Sequence, residues 1–232
     1  MRRFMSEGRL WVPEGGPEED RVRPHVLWLP HGQPPVLDYF ARMRKILAGY
    51  PDVITPVVEA DLHMTAQKIE YVDSGGRRVD EQRLQEAAPY LQRELGALAP
   101  VEIEIGPPRA SASAAVADVW PELGLHEFYL HVRVGLLTAG LKLPPTDPFF
   151  WGHVSGGYGL QSTDTPELAA RSDRLASELG RGLRPGSRVW ATIASVWLVL
   201  ERQDPVANRY TFTRVCEVHL GTGAPASADP LG

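Results

Sequence analysis

The sequence has little cysteine, no long apolar run and no excess of basic charge. Cys216 is the single cysteine among 232 residues, which excludes a disulfide framework and a cysteine cluster for metal. No apolar run approaches the roughly 20 residues that a membrane-spanning helix requires. Residues Met1 to Asp20 also lack the apolar core of a signal peptide. We therefore expect a cytoplasmic protein that does not associate with a membrane.

The charge balance restricts the partners. The chain has 24 Lys and Arg residues against 29 Asp and Glu residues, which gives a formal net charge of −5. Broad binding to duplex DNA depends on clustered positive charge, so this composition argues against it. A small site for one nucleotide or one RNA terminus remains compatible with the composition, and the sequence does not indicate an oligomeric state.

Composition along the chain predicts one domain with two poorly structured ends. A hydrophobic share of 43% and a charged share of 23% are ordinary for a soluble globular protein. Residues 1–23 are rich in charge, Gly and Pro and predict a flexible N-terminal arm. Residues 24–221 then form a single domain. Residues 222–232 are small and contain proline, and they predict a disordered tail.

The order of predicted elements indicates an α+β fold with antiparallel sheets. Apolar runs, alternation and helical spacing give strand, helix, strand, helix, strand, strand, helix, strand, helix, strand, strand. A parallel α/β fold would alternate more regularly. In detail, Pro89 should bend or split a helix between Asp80 and Leu98, and Gly106-Pro107-Pro108 should end a strand. Arg188 to Arg202 should form one long strand.

Two short motifs place a histidine two residues before a hydroxyl. These are His63-Met64-Thr65, followed by Gln67, and His153-Val154-Ser155. Alternate side chains of a strand point to the same face, so His63, Thr65 and Gln67 should project together, and Lys68 should point away. A structural role is the commoner one for a single histidine, and so short a pattern is not decisive alone.

The context of the motifs carries more weight than the motifs themselves. Each histidine lies on a predicted strand that is followed by a helix and two strands, and the two histidines are 90 residues apart. We therefore expect a bilobal protein with two pseudo-symmetric antiparallel sheets, flanking helices and a central cleft. Each lobe would contribute one His-x-Thr/Ser motif to the cleft.

With these motifs, residues from Pro24 to Leu220 resemble the two-histidine (2H) phosphoesterases. That group includes bacterial 2′-5′ RNA ligase-like proteins and cyclic nucleotide phosphodiesterases. The resemblance implies a metal-independent phosphodiesterase without a cofactor, acting on a 2′,3′-cyclic phosphate or a 2′-5′ linked nucleotide or RNA. It implies that His63 and His153 are catalytic and that Thr65 and Ser155 bind phosphate. Ligation of RNA ends is the reverse direction of the same chemistry.

The residue types suit acid–base chemistry. An unperturbed histidine titrates near pH 6.5, so one imidazole can accept a proton while the other donates one. The hydroxyls of Thr65 and Ser155 would donate hydrogen bonds to the non-bridging oxygens as negative charge develops. Which histidine is the base does not follow from the sequence. Gln67 and Tyr158 are further candidate contacts for the substrate.

The segment after the second motif departs from the family pattern. Gly156-Gly157-Tyr158-Gly159 stands where apolar or basic strand residues are usual, and neither motif has an adjacent arginine. The glycines either mark a bulge or strand end or admit a ligand close to the backbone. Arg109 and Lys142 are candidates for the missing phosphate contact.

Two other functions remain open at this stage. A non-catalytic protein that binds a nucleotide or an RNA end would keep the cleft without turnover. A metal-dependent hydrolase would use His63 and His153 as ligands, with Asp61 as the one acidic residue on the His63 face.

Overall fold

The computed structural model describes residues 1–6, 9–12, 16–146 and 148–221, and within them the chain forms an α+β fold. These residues form four α-helices and nine strands. The α+β class agrees with the prediction from the sequence. The helices are α1 (Pro34–Leu47), α2 (Glu81–Gly96), α3 (Glu122–Thr138) and α4 (Pro166–Gly182). The strands are β1 (Val22–Trp28), β2 (Ile54–Pro56), β3 (Met64–Lys68), β4 (Val101–Ala110), β5 (Ala114–Trp120), β6 (His153–Gly159), β7 (Val189–Ile193), β8 (Ser195–Asp204) and β9 (Arg209–His219).

The strands form two antiparallel sheets, each covered by a pair of helices. One sheet has the order β3-β1-β8-β9 and packs against α2 and α3. The other has the order β2-β6-β5-β4-β7 and packs against α1 and α4. Both helix pairs bury large apolar side chains against their sheets, including Trp28, Phe40, Met43, Leu84 and Leu91. The two His-x-hydroxyl motifs therefore belong to different sheets.

The two sheets are not consecutive halves of the chain. β4 and β5 follow His63 in the sequence but pair in the sheet that contains His153. The predicted single strand from Arg188 to Arg202 is also wrong, because it breaks at Ala194 into β7 and β8. β7 pairs with β4 and β8 pairs with β1, so the chain passes between the sheets at this residue.

The predicted splitting of a helix at Pro89 and the predicted end of a strand at Gly106-Pro107-Pro108 are wrong as well. Pro89 lies inside α2, which continues without a break from Glu81 to Gly96. The segment Gly106-Pro107-Pro108 does not end β4, which runs to Ala110 with an irregular pairing between Ile105 and Pro108. Gly106 has φ +115°, and a Cβ at this position would collide with the carbonyl oxygen of Ser187, so only glycine fits this irregularity.

The described part of residues 1–23 packs on the domain, in contrast to the loosely attached arm expected. The side chains of Met1, Met5 and Val12 are buried. The Phe4 ring lies 4.6 Å from that of Tyr158, and the Trp11 ring lies 5.5 Å from that of Tyr210. Apolar contacts of this kind hold the segment against the sheets. The predicted tail at 222–232 lies outside the described residues, and no helix of the described part has the length and apolar character to cross a membrane.

Candidate functional site

His63 is held at the start of β3 by a hydrogen bond to the backbone. A short 3-10 turn, Glu59–Asp61, leads into the strand and presents the carbonyl oxygen of Asp61 2.7 Å from His63 Nδ1. A carbonyl oxygen only accepts, so Nδ1 carries the hydrogen and Nε2 remains for acid–base chemistry. The side chain is 9% exposed, and its ring meets Phe212 edge to face at 5.7 Å.

His153 begins β6 and lies against a tryptophan. Its ring stacks on Trp151 at 4.2 Å, and its Nδ1 lies 3.4 Å from the carbonyl oxygen of that residue. The indole Nε1 of Trp151 donates to Asp118 at 2.8 Å, which fixes the indole. Arg109, a candidate phosphate contact from the sequence, instead pairs with Asp118 at 2.9 Å and lies over Trp151. The guanidinium is thus engaged within the protein.

The two histidines lie within electrostatic reach of each other. The pKa of His63 is lowered to about 4, mainly by burial and to a smaller extent by the positive charge of protonated His153, while the hydrogen bond to Asp61 opposes the shift. Burial also lowers the pKa of His153, with smaller contributions from Arg109 and Lys68 in the same direction and from Asp118 in the opposite one. At neutral pH both rings are therefore neutral in the free protein.

An irregularity in β3 reverses the predicted orientations of Gln67 and Lys68. Leu27 of β1 pairs with Thr65, whereas Val26 pairs with Gln67, which leaves Ala66 as the extra residue of a bulge. Gln67 therefore does not share the face of Thr65. It is 5% exposed, and its Oε1 accepts a hydrogen bond from Arg133 of α3 at 3.0 Å. Lys68 takes the cleft side and lines the cavity described below.

The second motif contains a bulge at the corresponding position. Val116 of β5 pairs with Ser155 and Ala115 pairs with Gly157, so Gly156 is the extra residue. A Cβ on Gly156 would lie 2.6 Å from Met43 Sδ of α1, which shows that this glycine allows helix packing. The structural interpretation of the glycines thus accounts for Gly156.

The bulge returns Tyr158 to the face of Ser155. Tyr158 is 4% exposed, and its environment includes a hydrogen bond with the Ser155 side chain. Burial is the largest of the effects that raise the pKa of the Tyr158 phenol well above its ordinary value, so the hydroxyl stays protonated. Tyr158 therefore contacts the motif directly as a buried partner of Ser155. Each motif strand carries its bulge directly after the hydroxyl residue, so Lys68 and Tyr158 hold equivalent positions.

A cavity of about 500 Å³ opens beside the second motif. His153 and Ser155 line it together with Lys68. Its described lining does not include His63, Thr65 or Lys142. The structure thus brings the second motif and Lys68 to one cavity, while the first motif lies outside its wall.

The N-terminal segment forms one side of this cavity. Phe4, Arg9 and Trp11 are among the lining residues, and Arg9 donates a hydrogen bond to Ser113 Oγ at 2.6 Å. Arg9 and Lys68 give the cavity two cations. Sequence reasoning assigned Arg9 to an arm and therefore missed it.

Two further titratable residues meet the first motif, and both were missed from the sequence. Glu201 of β8 places Oε1 3.4 Å from His63 Nε2 and Oε2 3.4 Å from His25 Nε2. Burial raises the pKa of Glu201 to about 8 and lowers that of His25 to about 3. Glu201 follows the apolar run at 196–200, and a single acidic residue on a predicted core strand was the available signal. The described residues contain no group of three or more His, Cys, Asp or Glu side chains arranged to hold a metal ion.

Comparison with solved structures supports the fold. The Thermus thermophilus protein TT0787 matches with a TM-score of 0.55 and 16% identity, over 86% of this chain and 98% of that one. E. coli LigT complexed with 3′-AMP matches with a TM-score of 0.55 and 13% identity, over the same shares. E. coli LigT complexed with NADP+ gives a TM-score of 0.52 at 13% identity, over 86% of this chain and 97% of that one.

Comparison of the sequence, in contrast to comparison of the structure, finds no relative. No protein-family model matches the chain, and no curated protein matches it. The predicted resemblance to two-histidine phosphoesterases is therefore confirmed at the level of the fold, by the likeness to these structures.

Proposed function

We propose that this protein is a metal-independent phosphodiesterase of the two-histidine type, acting on a 2′,3′-cyclic phosphate or a 2′-5′ linked nucleotide or RNA. The observation that carries the proposal is the paired arrangement of the motifs. His63-x-Thr65 and His153-x-Ser155 lie on equivalent bulged strands of two sheets, with their rings within electrostatic reach. The E. coli structure of similar fold that was solved with 3′-AMP supports a nucleotide as substrate.

The chemistry follows from the protonation states. One neutral imidazole accepts a proton from the attacking water, and the other must gain a proton to protonate the departing ribose oxygen. A bound phosphate anion favours that second, cationic form because it places negative charge beside the ring. Thr65 and Ser155 donate hydrogen bonds to the non-bridging oxygens, and each such donor contributes about 3 kcal/mol in comparable sites. When the terminal hydroxyl of a second RNA attacks the cyclic phosphate in place of water, the same proton transfers break the ring P–O bond and join the two RNA ends.

The cavity supplies contacts that the motifs lack. Lys68 and Arg9 provide positive charge for the phosphate, in place of an arginine next to either motif. Trp151 is 53% exposed and borders the cavity beside His153, so its exposed part offers apolar contact area for a nucleobase.

A non-catalytic nucleotide or RNA-end binding protein is the second candidate. One observation favours it: the Nε2 atom of His63 faces Glu201, and His63 does not line the cavity. Under this alternative, His153, Ser155 and Lys68 bind a phosphate that is not hydrolysed.

Alanine substitution of the two histidines tests the proposed hydrolysis. His63→Ala and His153→Ala should each lower kcat/KM for adenosine 2′,3′-cyclic phosphate by about 10²–10⁴-fold, because each removes a proton-transfer group. His219→Ala is the matched control, since His219 lies on β9 with its side chain 52% exposed. Circular dichroism and Tm establish that the variants fold, and the wild-type rate should be the same with and without EDTA.

The outcomes separate the two candidates. Wild-type turnover that survives both substitutions would exclude the two-histidine mechanism. Calorimetric binding of the cyclic phosphate without any turnover, weakened in His153→Ala, would select the binding protein instead.

A further inference from the structure

A buried carboxyl group bridges two histidines beside the first motif. Glu201 lies between His25 on β1 and His63 at the start of β3, with one oxygen 3.4 Å from each Nε2. The side chains of His25 and Glu201 are 4% and 5% exposed. Trp11 stacks on the His25 ring at 5.6 Å and covers that end of the cluster. Water therefore has little access to these three groups.

Backbone contacts fix the tautomers of both rings. His63 Nδ1 donates to the carbonyl oxygen of Asp61 at 2.7 Å, and His25 Nδ1 donates to that of Arg23 at 3.1 Å. Nε2 of each neutral ring therefore carries a lone pair and lies 3.4 Å from an oxygen of Glu201. Two nitrogen lone pairs facing one carboxylate repel it unless a proton lies between nitrogen and oxygen. The protonated carboxyl group supplies one hydrogen, which serves one of the two rings at a time.

We propose that His25, Glu201 and His63 form a proton-sharing triad, in which Glu201 is a positioning residue that sets the protonation state of His63. A single proton moves between Glu201 Oε1 and His63 Nε2: the O–H bond breaks as the N–H bond forms, and the reverse step restores it. His25 is the alternative acceptor through Oε2. The triad's role in turnover rests on the proposed phosphodiesterase function, whereas its proton sharing does not.

Charged and titratable groups surround the triad from several elements. Arg23 on β1 and Lys68 on β3 are cations that disfavour a charged His25, and Lys68 also favours the carboxylate form of Glu201. His153 on β6 disfavours a charged His63. Tyr158 on β6 and Tyr210 on β9 both interact with Glu201, and burial keeps both phenols protonated. The proton count of the triad is therefore linked to the charge that occupies the neighbouring cavity.

Imidazole ¹⁵N and ¹³C shifts test the triad without any substrate. In the wild type, both rings should show a protonated Nδ1, and the His63 titration curve should contain a second inflection near pH 8, where Glu201 titrates. Glu201→Gln keeps the shape and removes the titrating group, so this inflection should disappear. Glu217→Gln on β9, whose side chain is 36% exposed, is the matched control and should retain it. The proposal is overturned if the wild-type titration curve of His63 has a single inflection, or if the inflection near pH 8 persists in Glu201→Gln.

The pH dependence of turnover tests the role in catalysis. Glu201→Gln and His25→Gln should lower kcat more than they raise KM and should shift the pH profile, which a merely structural role would not do. Variants that share the wild-type profile would show that the triad takes no part in turnover. If the wild type is inactive but its His63 titration curve still shows the inflection near pH 8, the phosphodiesterase function is refuted and proton sharing stays supported. If Glu201→Gln does not fold, the imidazole chemical shifts of the wild-type protein alone test the proton sharing.

Discussion

At the scale of single residues, the glycines after the second motif show how a functional pattern and a packing requirement coincide. Gly156 is the extra residue of the β6 bulge, and it faces Met43, a fully buried residue of α1. Gly157 has a similar role, since a Cβ there would lie 3.0 Å from Leu47 Cδ1 of α1 and 2.9 Å from Ile54 Cδ1 of β2. Close packing of the helix on the strand explains both positions without a ligand.

Gly156→Ala should therefore lower the free energy of unfolding. The new methyl group would lie 2.6 Å from Met43 Sδ and 2.7 Å from its Cε. Overpacking of a core typically costs about 1–3 kcal/mol, and urea denaturation measures this. Gly180→Ala in α4 is the control, because nothing lies within 4 Å of its added Cβ. Equal stabilities of the two variants would contradict the packing explanation.

At the scale of elements, the bulge in β3 decides which side chains reach the cavity. It sends Gln67 toward Arg133 on α3, which also donates to the carbonyl oxygen of Pro144. It sends Lys68 toward His153 and Ser155. Gln67, next to Lys68 in sequence, is thus buried against α3.

Substitutions at these two neighbours should have opposite consequences. Lys68→Ala should raise KM by about tenfold to a hundredfold, as expected from loss of a charge-assisted contact of about 1.5–3 kcal/mol. Gln67→Ala should leave KM nearly unchanged and lower the free energy of unfolding by a similar amount, because buried Arg133 loses an acceptor. Steady-state kinetics and urea denaturation measure the two effects. A large KM effect from Gln67→Ala would mean that the regular strand alternation was correct.

The sequence predicted the class of fold and both motifs, and it failed where pairing between distant strands determines geometry. Regular alternation placed Gln67 beside His63, but the bulge depends on how β1 pairs with β3, which local sequence does not encode. The break at Ala194 depends in the same way on which sheet accepts each strand. Glu201 was missed because its importance comes from two histidines that are distant in sequence. The catalytic roles of His63 and His153 stay predictions.

At the scale of the whole molecule, the buried carboxyl group links stability to pH. The pKa of Glu201 is about 8 in the folded protein, compared with about 4.3 for an unfolded glutamate. Between these values the folded protein retains a proton that the unfolded chain has lost. This contribution to stability therefore declines as the pH rises through the interval and levels off above pH 8.

Comparison of wild type with Glu201→Gln isolates this effect. The free energy of unfolding of the wild type minus that of the variant should fall steadily from pH 5 to pH 8, since Gln does not titrate. Urea denaturation at several pH values gives both quantities. The contributions of His25 and His63 act in the opposite direction because burial lowers their pKa values, and they change with pH below the ordinary histidine value of 6.5, so the fall between pH 7 and pH 8 reports Glu201. Parallel curves would show that Glu201 ionises normally in the folded state.

The passage of the chain between the sheets at Ala194 affects the order of folding. The four-stranded sheet requires β1 from the beginning of the domain and β8 and β9 from its end, as in the pairing of Val26 with Leu198. Such distant pairings close long loops, which slows folding relative to chains with local contacts. The five-stranded sheet likewise needs a distant pairing, that of β4 with β7. We therefore expect the two sheets to be completed late in folding, after the local pairings of the motif strands β3 with β1 and β6 with β5.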